Sequence, residues 1–487
     1  MKTMAEKIEL VKASFKNGMQ QEGLECQGLR AMFSIGSAAN NESFRNEFFQ
    51  DFDIHLFFNH LDISKKTLGA VKRLFKEVAR KHEDQDTAVE FMVKDQPWKM
   101  IPRKASNIGI HGTVLDSLDF QRRIERNYIL GLNMFRNAEV LYGKLDFPQK
   151  KISVDQFFSE VGGIGWLEEL YYRILPFTDP GNKIMHPMIV EISYYFGLSP
   201  LLHFYYLHNN TVATRQECFA FFVAQGSVPD AAKEAARFLM RKGVNNTNDC
   251  LAMLNYAFEI MQFVRSQFGE DSKEDCEKEK QMLPESRILA IDEGSMLISE
   301  VLGRQISINQ RHCLITGGDF NQIQSEIGRC FGSFSNQTPD DYVESIHSII
   351  EGGLSEVNRL YFWIFGKNER FLNRTDFSLH DPTLDSLLYS WERGITTFIQ
   401  RLHEAYLNKE HLDATDVLLA KILALMAYSD FLLITTNKIP AIKELVSTFE
   451  KDEKLDRVNQ LNIEDQFFSY LGALYSLARK IITAYNG

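Results

Sequence analysis

Two aspartates two residues apart, Asp51 and Asp53, stand in an otherwise apolar stretch, Asp51-Phe52-Asp53-Ile54-His55-Leu56-Phe57-Phe58. The alternation is that of a β-strand, whose side chains repeat their direction every second residue. Asp51 and Asp53 therefore share one face, and Phe52, Ile54, Leu56 and Phe58 share the other and can pack. Carboxylates held side by side on a rigid strand repel each other unless a cation neutralises them. Mg²⁺ is the expected ion, because it takes oxygen ligands and usually arrives with phosphate oxygens. A short apolar run, Phe33-Ser34-Ile35, ends in Gly36-Ser37. Glycine lets the backbone come close to a phosphate, and the following N–H groups and serine hydroxyl can bind it.

Gly-Ser, a spacer of thirteen residues (Ala38 to Gln50) and Asp-x-Asp on an apolar strand resemble the signature of the polymerase-β-like nucleotidyltransferase superfamily. The motif spans residues 36–53, and the family-like portion residues 1–150. The resemblance implies a small mixed sheet flanked by helices. It implies that Gly36 and Ser37 hold the triphosphate of an NTP, ATP in the first place. It further implies that Asp51 and Asp53 bind a pair of Mg²⁺ ions while a nucleoside monophosphate moves to a hydroxyl and pyrophosphate leaves. The family places a third carboxylate on a later strand, as base for the incoming hydroxyl and as a metal ligand. The corresponding stretch here is Ile108-Gly109-Ile110-His111-Gly112-Thr113-Val114-Leu115-Asp116. His111 stands where that aspartate is expected, and histidine titrates near neutrality and can act as a base. Asp116 lies five residues on, with Asp119 after it. Of the two candidates the sequence reading leans to Asp116, reached through a bent strand end.

Other residues have a plain reading beside a functional one. His55 shares the face of the aspartates, and is read as a polar residue at the exposed end of the strand rather than as a supporting contact of the site. Arg122, Arg123 and Arg126 suit phosphate oxygens but equally suit a solvated helix face, and the same holds for Lys99, Arg103 and Lys104. His186 and His203 sit among aromatic residues, with no partner ligands at metal spacing, and read as core or groove histidines.

Several elements must position the candidates. Helical spacing of Ile8, Val11, Phe15 and Met19 predicts a helix over 4–28. A strand is predicted over 29–35, a polar helix over 40–50, and a helix over 64–81 capped by Ser64. Strands at 88–93 and 108–115, extended chain at 100–102, a helix over 120–136 and a short strand ending at Gly143 complete the first portion. Beyond residue 150 the strand signals fade. Helices are expected near 153–174, 186–208, 213–225, 229–242 and 247–268. After a charged linker at 269–280, more are expected near 284–303, 319–330, 339–366, 383–408, 412–436, 440–451 and 463–484. The nearly all-apolar Leu418, Leu419, Ile422, Leu423, Leu425 and Met426 predict a helix central to a bundle.

The expected fold class is α+β. A mixed-sheet nucleotidyltransferase-like domain over 1–150 is followed by a helical domain over 151–270 and a helical bundle over 281–487. At 487 residues more than one domain is expected. A net charge of −11 argues against a general nucleic-acid binder. It favours a small-molecule or protein acceptor. The six cysteines form no Cys-x-x-Cys pair, which reads as reduced thiols of a cytoplasmic protein. No signal peptide and no membrane span are expected. The alternative function is a catalytically degenerate nucleotide-binding or scaffolding protein with a helical interaction region.

Overall fold

The computed structural model describes residues 4–35, 50–82, 87–91, 108–118, 138–145, 200–240, 288–291, 312–315, 342–345, 384–436 and 442–486, with isolated positions between 256 and 267. The predicted helices over 120–136, 153–174 and 319–330 lie outside these residues, as do residues 40–49 of the predicted helix over 40–50, whose last residue, Gln50, instead begins a strand.

Five strands build the N-terminal sheet: β1 (Leu29–Ile35), β2 (Gln50–Phe58), β3 (Thr87–Phe91), β4 (Ile108–Leu115) and β5 (Glu139–Gly143). Their spatial order is β3-β4-β2-β1-β5. β4 runs parallel to both β2 and β3, and β1 runs antiparallel to both β2 and β5, so the sheet is mixed. The alternation read in β2 is realised. Phe52, Ile54, Leu56 and Phe58 are buried in one core with Met32, Ile110 and Val114.

Two helices cover that face. α1 (Met4–Gln21) contributes Ile8, Val11, Phe15 and Met19, and α2 (Lys65–His82) contributes Leu68, Val71, Leu74, Phe75 and Val78. The Phe15 ring lies 4.9 Å from Phe75 and 6.5 Å from Phe52. Burying one such ring stabilises the fold by about 1.5–3 kcal/mol. Ser64 caps α2 as its sequence predicts, its Oγ accepting from the Thr67 N–H at 3.1 Å. α1 stops well before the predicted residue 28. Gly23 adopts a left-handed φ of 60° just past its end, and a 3-10 turn follows over Leu24–Gln27. A glycine there terminates a helix that apolar spacing alone would extend.

Strand β5 depends on Gly143, whose φ is 73° and whose added Cβ would strike the backbone carbonyl of Arg30 in β1. The left-handed conformation alone costs an L-residue about 1–2 kcal/mol. Gly143→Ala is therefore expected to destabilise the protein by more than about 2 kcal/mol in urea unfolding. Gly472 is the control. It sits in a helix with open space around it, and Gly472→Ala should be neutral or stabilising by up to about 1 kcal/mol. Equal effects of the two substitutions would refute the assignment of strain to Gly143.

The C-terminal half supplies α5 (Leu384–Asn408), α6 (Ala414–Thr436), α7 (Ile442–Asp452) and α8 (Ile463–Asn486). Between β5 and these helices, α3 (Arg215–Ala224) opens with a capping box between Thr214 and Glu217, and α4 (Asp230–Met240) follows. α5 packs on α2, β3 and β4, so residues from 8 to 141 and from 395 to 481 share one hydrophobic core. Charged contacts reinforce the seam. Arg479 pairs with Asp62 at 2.8 Å, Lys65 reaches Glu464 and Asp465, and Lys72 lies 4.5 Å from the centre of the Tyr406 ring. The expected central helix is α6, whose Leu423 to Ser429 are all buried. By length and composition α6 could cross a membrane, the single such helix among the described residues. That apolar character is used here in packing against α5 and α8.

One expectation needs correction. Strands β6 (Ile288–Ile291), β7 (His312–Ile315) and β8 (Tyr342–Ser345) form a three-stranded sheet in a region read as wholly helical. β6 and β8 fall inside the predicted helices 284–303 and 339–366. A four-residue apolar run such as Ile288-Leu289-Ala290-Ile291 fits either period, and only pairing partners distinguish the two.

Candidate functional site

The face of the sheet opposite the aromatic core carries the chemistry-bearing residues. In the parallel pairing of β2 with β4, Asp53 stands opposite His111 and His55 opposite Thr113. β1 adds Ile35 beside Asp53, and β3 adds Glu90 beside His111. The sheet therefore has one transverse row, Ile35–Asp53–His111–Glu90, drawn from four strands. Within it an Oδ1 of Asp53 lies 3.5 Å from Nδ1 of His111. Both residues are buried, with relative exposures of 9% and 7%. A carboxylate and an imidazole this close in a low-dielectric setting interact far more strongly than at a wet surface.

The backbone register puts Asp51 opposite Gly109, two residues from Asp53 and toward the same edge of the sheet. Gly36 and Ser37 lie outside the described residues. Their connection is nonetheless informative, because β1 ends at Ile35, the residue paired with Asp53. Asp119, Lys99, Arg103, Lys104, Arg122, Arg123, Arg126 and His186 also lie outside the described residues.

Asp116 sits elsewhere. It follows Leu115, which pairs with Phe57 at the far end of β4. At about 3.3 Å per residue it is roughly 16 Å along the strand from His111, and alternation turns it away from the His111 face. It is 2% exposed, and its charge is felt by Tyr475 of α8. Burial first, and then Asp116, hold that phenol well above its usual range. Tyr475 in turn makes a 2.7 Å hydrogen bond with Nε2 of His403 from α5. The two sequence candidates for the third role are thus far apart, and the one beside Asp53 is His111.

His55 departs from its reading as a residue at an exposed strand end. It is fully buried and stacked on Phe33, with ring centroids 5.2 Å apart and planes at 18°. Residues on both faces of the sheet are buried, which a single strand's pattern does not reveal. His203 is buried, in keeping with a core histidine. Among the described residues no three His, Cys, Asp or Glu side chains are grouped at metal-binding spacing. Glu90 was missed in the sequence. Its signal was present, as the acid within the short strand Thr87-Ala88-Val89-Glu90-Phe91, but nothing local said that this strand would join the row.

Compared with known proteins, the chain matches no family model, no curated protein and no solved structure.

Proposed function

We propose that the protein is a nucleotidyltransferase, moving a nucleoside monophosphate from an NTP, ATP in the first place, to a hydroxyl of a small molecule or a protein. The observation that carries this reading is the transverse row. It holds Asp53 and His111 side by side, at the point where β1 hands over to Gly36-Ser37.

Asp51 and Asp53 would hold the divalent cation, Mg²⁺ by the family resemblance. Asp53 suits that task, being a largely buried carboxylate with a second donor atom 3.5 Å away. A bound cation supplies neutralisation of the charge on the transferred phosphoryl group. Gly36 and Ser37 bind the β and γ phosphates through backbone N–H groups and the serine hydroxyl. The third role falls to His111, because Asp116 is too distant to reach a group held by Asp53. Asp53 and His111 are both largely buried, which strengthens each of their interactions. The net charge of −11 favours a cationic small molecule or a protein as acceptor over a nucleic acid.

Nucleotide binding tests the reading. Titration of the full chain with a non-hydrolysable ATP analogue should show Mg²⁺-dependent binding. Replacing Asp51 and Asp53 together by asparagine should weaken it at least about tenfold, the scale of lost metal coordination. Binding that ignores both Mg²⁺ and the substitutions would remove the basis for the enzyme. Nucleotide binding without pyrophosphate release across a panel of hydroxyl acceptors would instead identify a binding module.

A further inference from the structure

Asp53 offers oxygen and His111 offers nitrogen, from neighbouring strands and at the same register position. Their donor atoms lie 3.5 Å apart. Two ligands about 2.1 Å from a common ion stand about 3.0 Å apart at a right angle and about 3.4 Å apart at a tetrahedral one. The observed separation is therefore close to that of two donors on one cation. A direct hydrogen bond between them would be shorter, near 2.8 Å for a charge-assisted pair. The choice of donors matters, because Mg²⁺ seeks oxygen and keeps its water, whereas imidazole suits Mn²⁺ less than Zn²⁺ but all first-row cations better than Mg²⁺.

We infer that His111 fills the third role as a cation ligand through Nδ1, so that the Asp53–His111 pair makes the site prefer a nitrogen-accepting divalent cation of the Mn²⁺–Co²⁺–Zn²⁺ type over Mg²⁺. This rests on the nucleotidyltransferase reading only in assuming that Asp53 binds a cation. Two strands held in parallel register fix the donors, so the preference is built into the sheet and needs no loop to close. Asp51, from the same strand, and phosphate oxygens would complete the shell.

The test uses the full chain without nucleotide. Mn²⁺ and Mg²⁺ are titrated separately by calorimetry, and bound Mn²⁺ is probed by pulsed electron paramagnetic resonance. The wild-type protein should bind one Mn²⁺ more tightly than Mg²⁺ and show hyperfine coupling to a directly bound ¹⁴N. His111→Asn should lower Mn²⁺ affinity at least about tenfold, as expected for a lost coordination partner, and abolish the nitrogen coupling, while Mg²⁺ affinity stays near its original value. Should the variant misfold, as a shifted melting temperature would reveal, the wild-type nitrogen coupling still decides the matter. Absence of that coupling, or equal losses for both cations, overturns the inference. If Mg²⁺ binding persists and is lost in Asp53→Asn while His111→Asn changes nothing, only this inference fails. If no cation binds even when a non-hydrolysable ATP analogue is added, the nucleotidyltransferase reading fails with it.

Discussion

His111→Ala is expected to slow pyrophosphate release by about 10²–10³-fold, the scale of removing one group that acts on the reacting centre, while Asp116→Asn leaves the rate of the folded protein near wild type. Family-style reading of the sequence ranks these residues the other way. The structure supplies the reason for the reversal. Parallel pairing brings His111 to 3.5 Å from Asp53, whereas Asp116 sits past the last residue of β4, where its charge acts on Tyr475. At least two outcomes bear on this. A slow Asp116→Asn with an unaffected His111→Ala would show that the strand end bends back to the site. Comparable losses in both would point to a stability effect, so the rates must be read per folded molecule, with circular dichroism and urea unfolding measured on each variant.

The second large effect is on stability in acid. His403 is fully enclosed between α5 and α8, its Nε2 bonded to the Tyr475 hydroxyl and its Nδ1 buried without a partner. Burial drives its pKa down from 6.5 to about 3, since a charged imidazole there would lose its water and gain no carboxylate. In the unfolded chain the same ring binds its proton near pH 6.5. Between these two values the unfolded state holds more protons, so stability falls as the pH drops. The contribution is fully present above about pH 6.5 and shrinks by about 2 kcal/mol at pH 5, approaching a total loss of about 5 kcal/mol near pH 3. Urea midpoints of the wild type measured at pH 7 and pH 5 should differ by this amount beyond the contribution of other groups. His403→Gln removes the titrating group and should make that difference smaller by about 2 kcal/mol, whatever it does to stability at pH 7. An identical pH dependence in both proteins would show that His403 is already solvated or charged in the fold.

Much of the N-terminal architecture was legible in advance. Strong alternation in β2 and clear helical spacing in α2 lead to elements within a residue or two of their observed ends. These are cases where one face is buried by a continuous core, so that the period of the apolar residues and the period of the structure must agree. The long helices α5, α6 and α8 were legible for the same reason. Legibility failed where the deciding interaction was remote. The end of α1 is set by a left-handed glycine that interrupts no apolar pattern. The strands β6 and β8 are too short to show a period, and the identity of each comes from its pairing with β7.

The candidate site divides in the same way. The amino-acid sequence by itself determined that Asp51 and Asp53 share a face with His55 and oppose Phe52, Ile54, Leu56 and Phe58, because that follows from the two-residue repeat of any strand. It also determined that Gly36-Ser37 closes the preceding apolar run. Only the tertiary structure decided which residue of β4 stands opposite Asp53. A parallel neighbour joined through a long crossover can slide by two residues without changing which side chains face the core, so pairing alone decides that His111, rather than Gly109 or Thr113, stands opposite Asp53. The burial of His55 against Phe33 and the enclosure of His403 beside Tyr475 were likewise decided only in three dimensions. Each depends on a contact partner from another strand or helix, and a single stretch of chain carries no record of what will be packed against it.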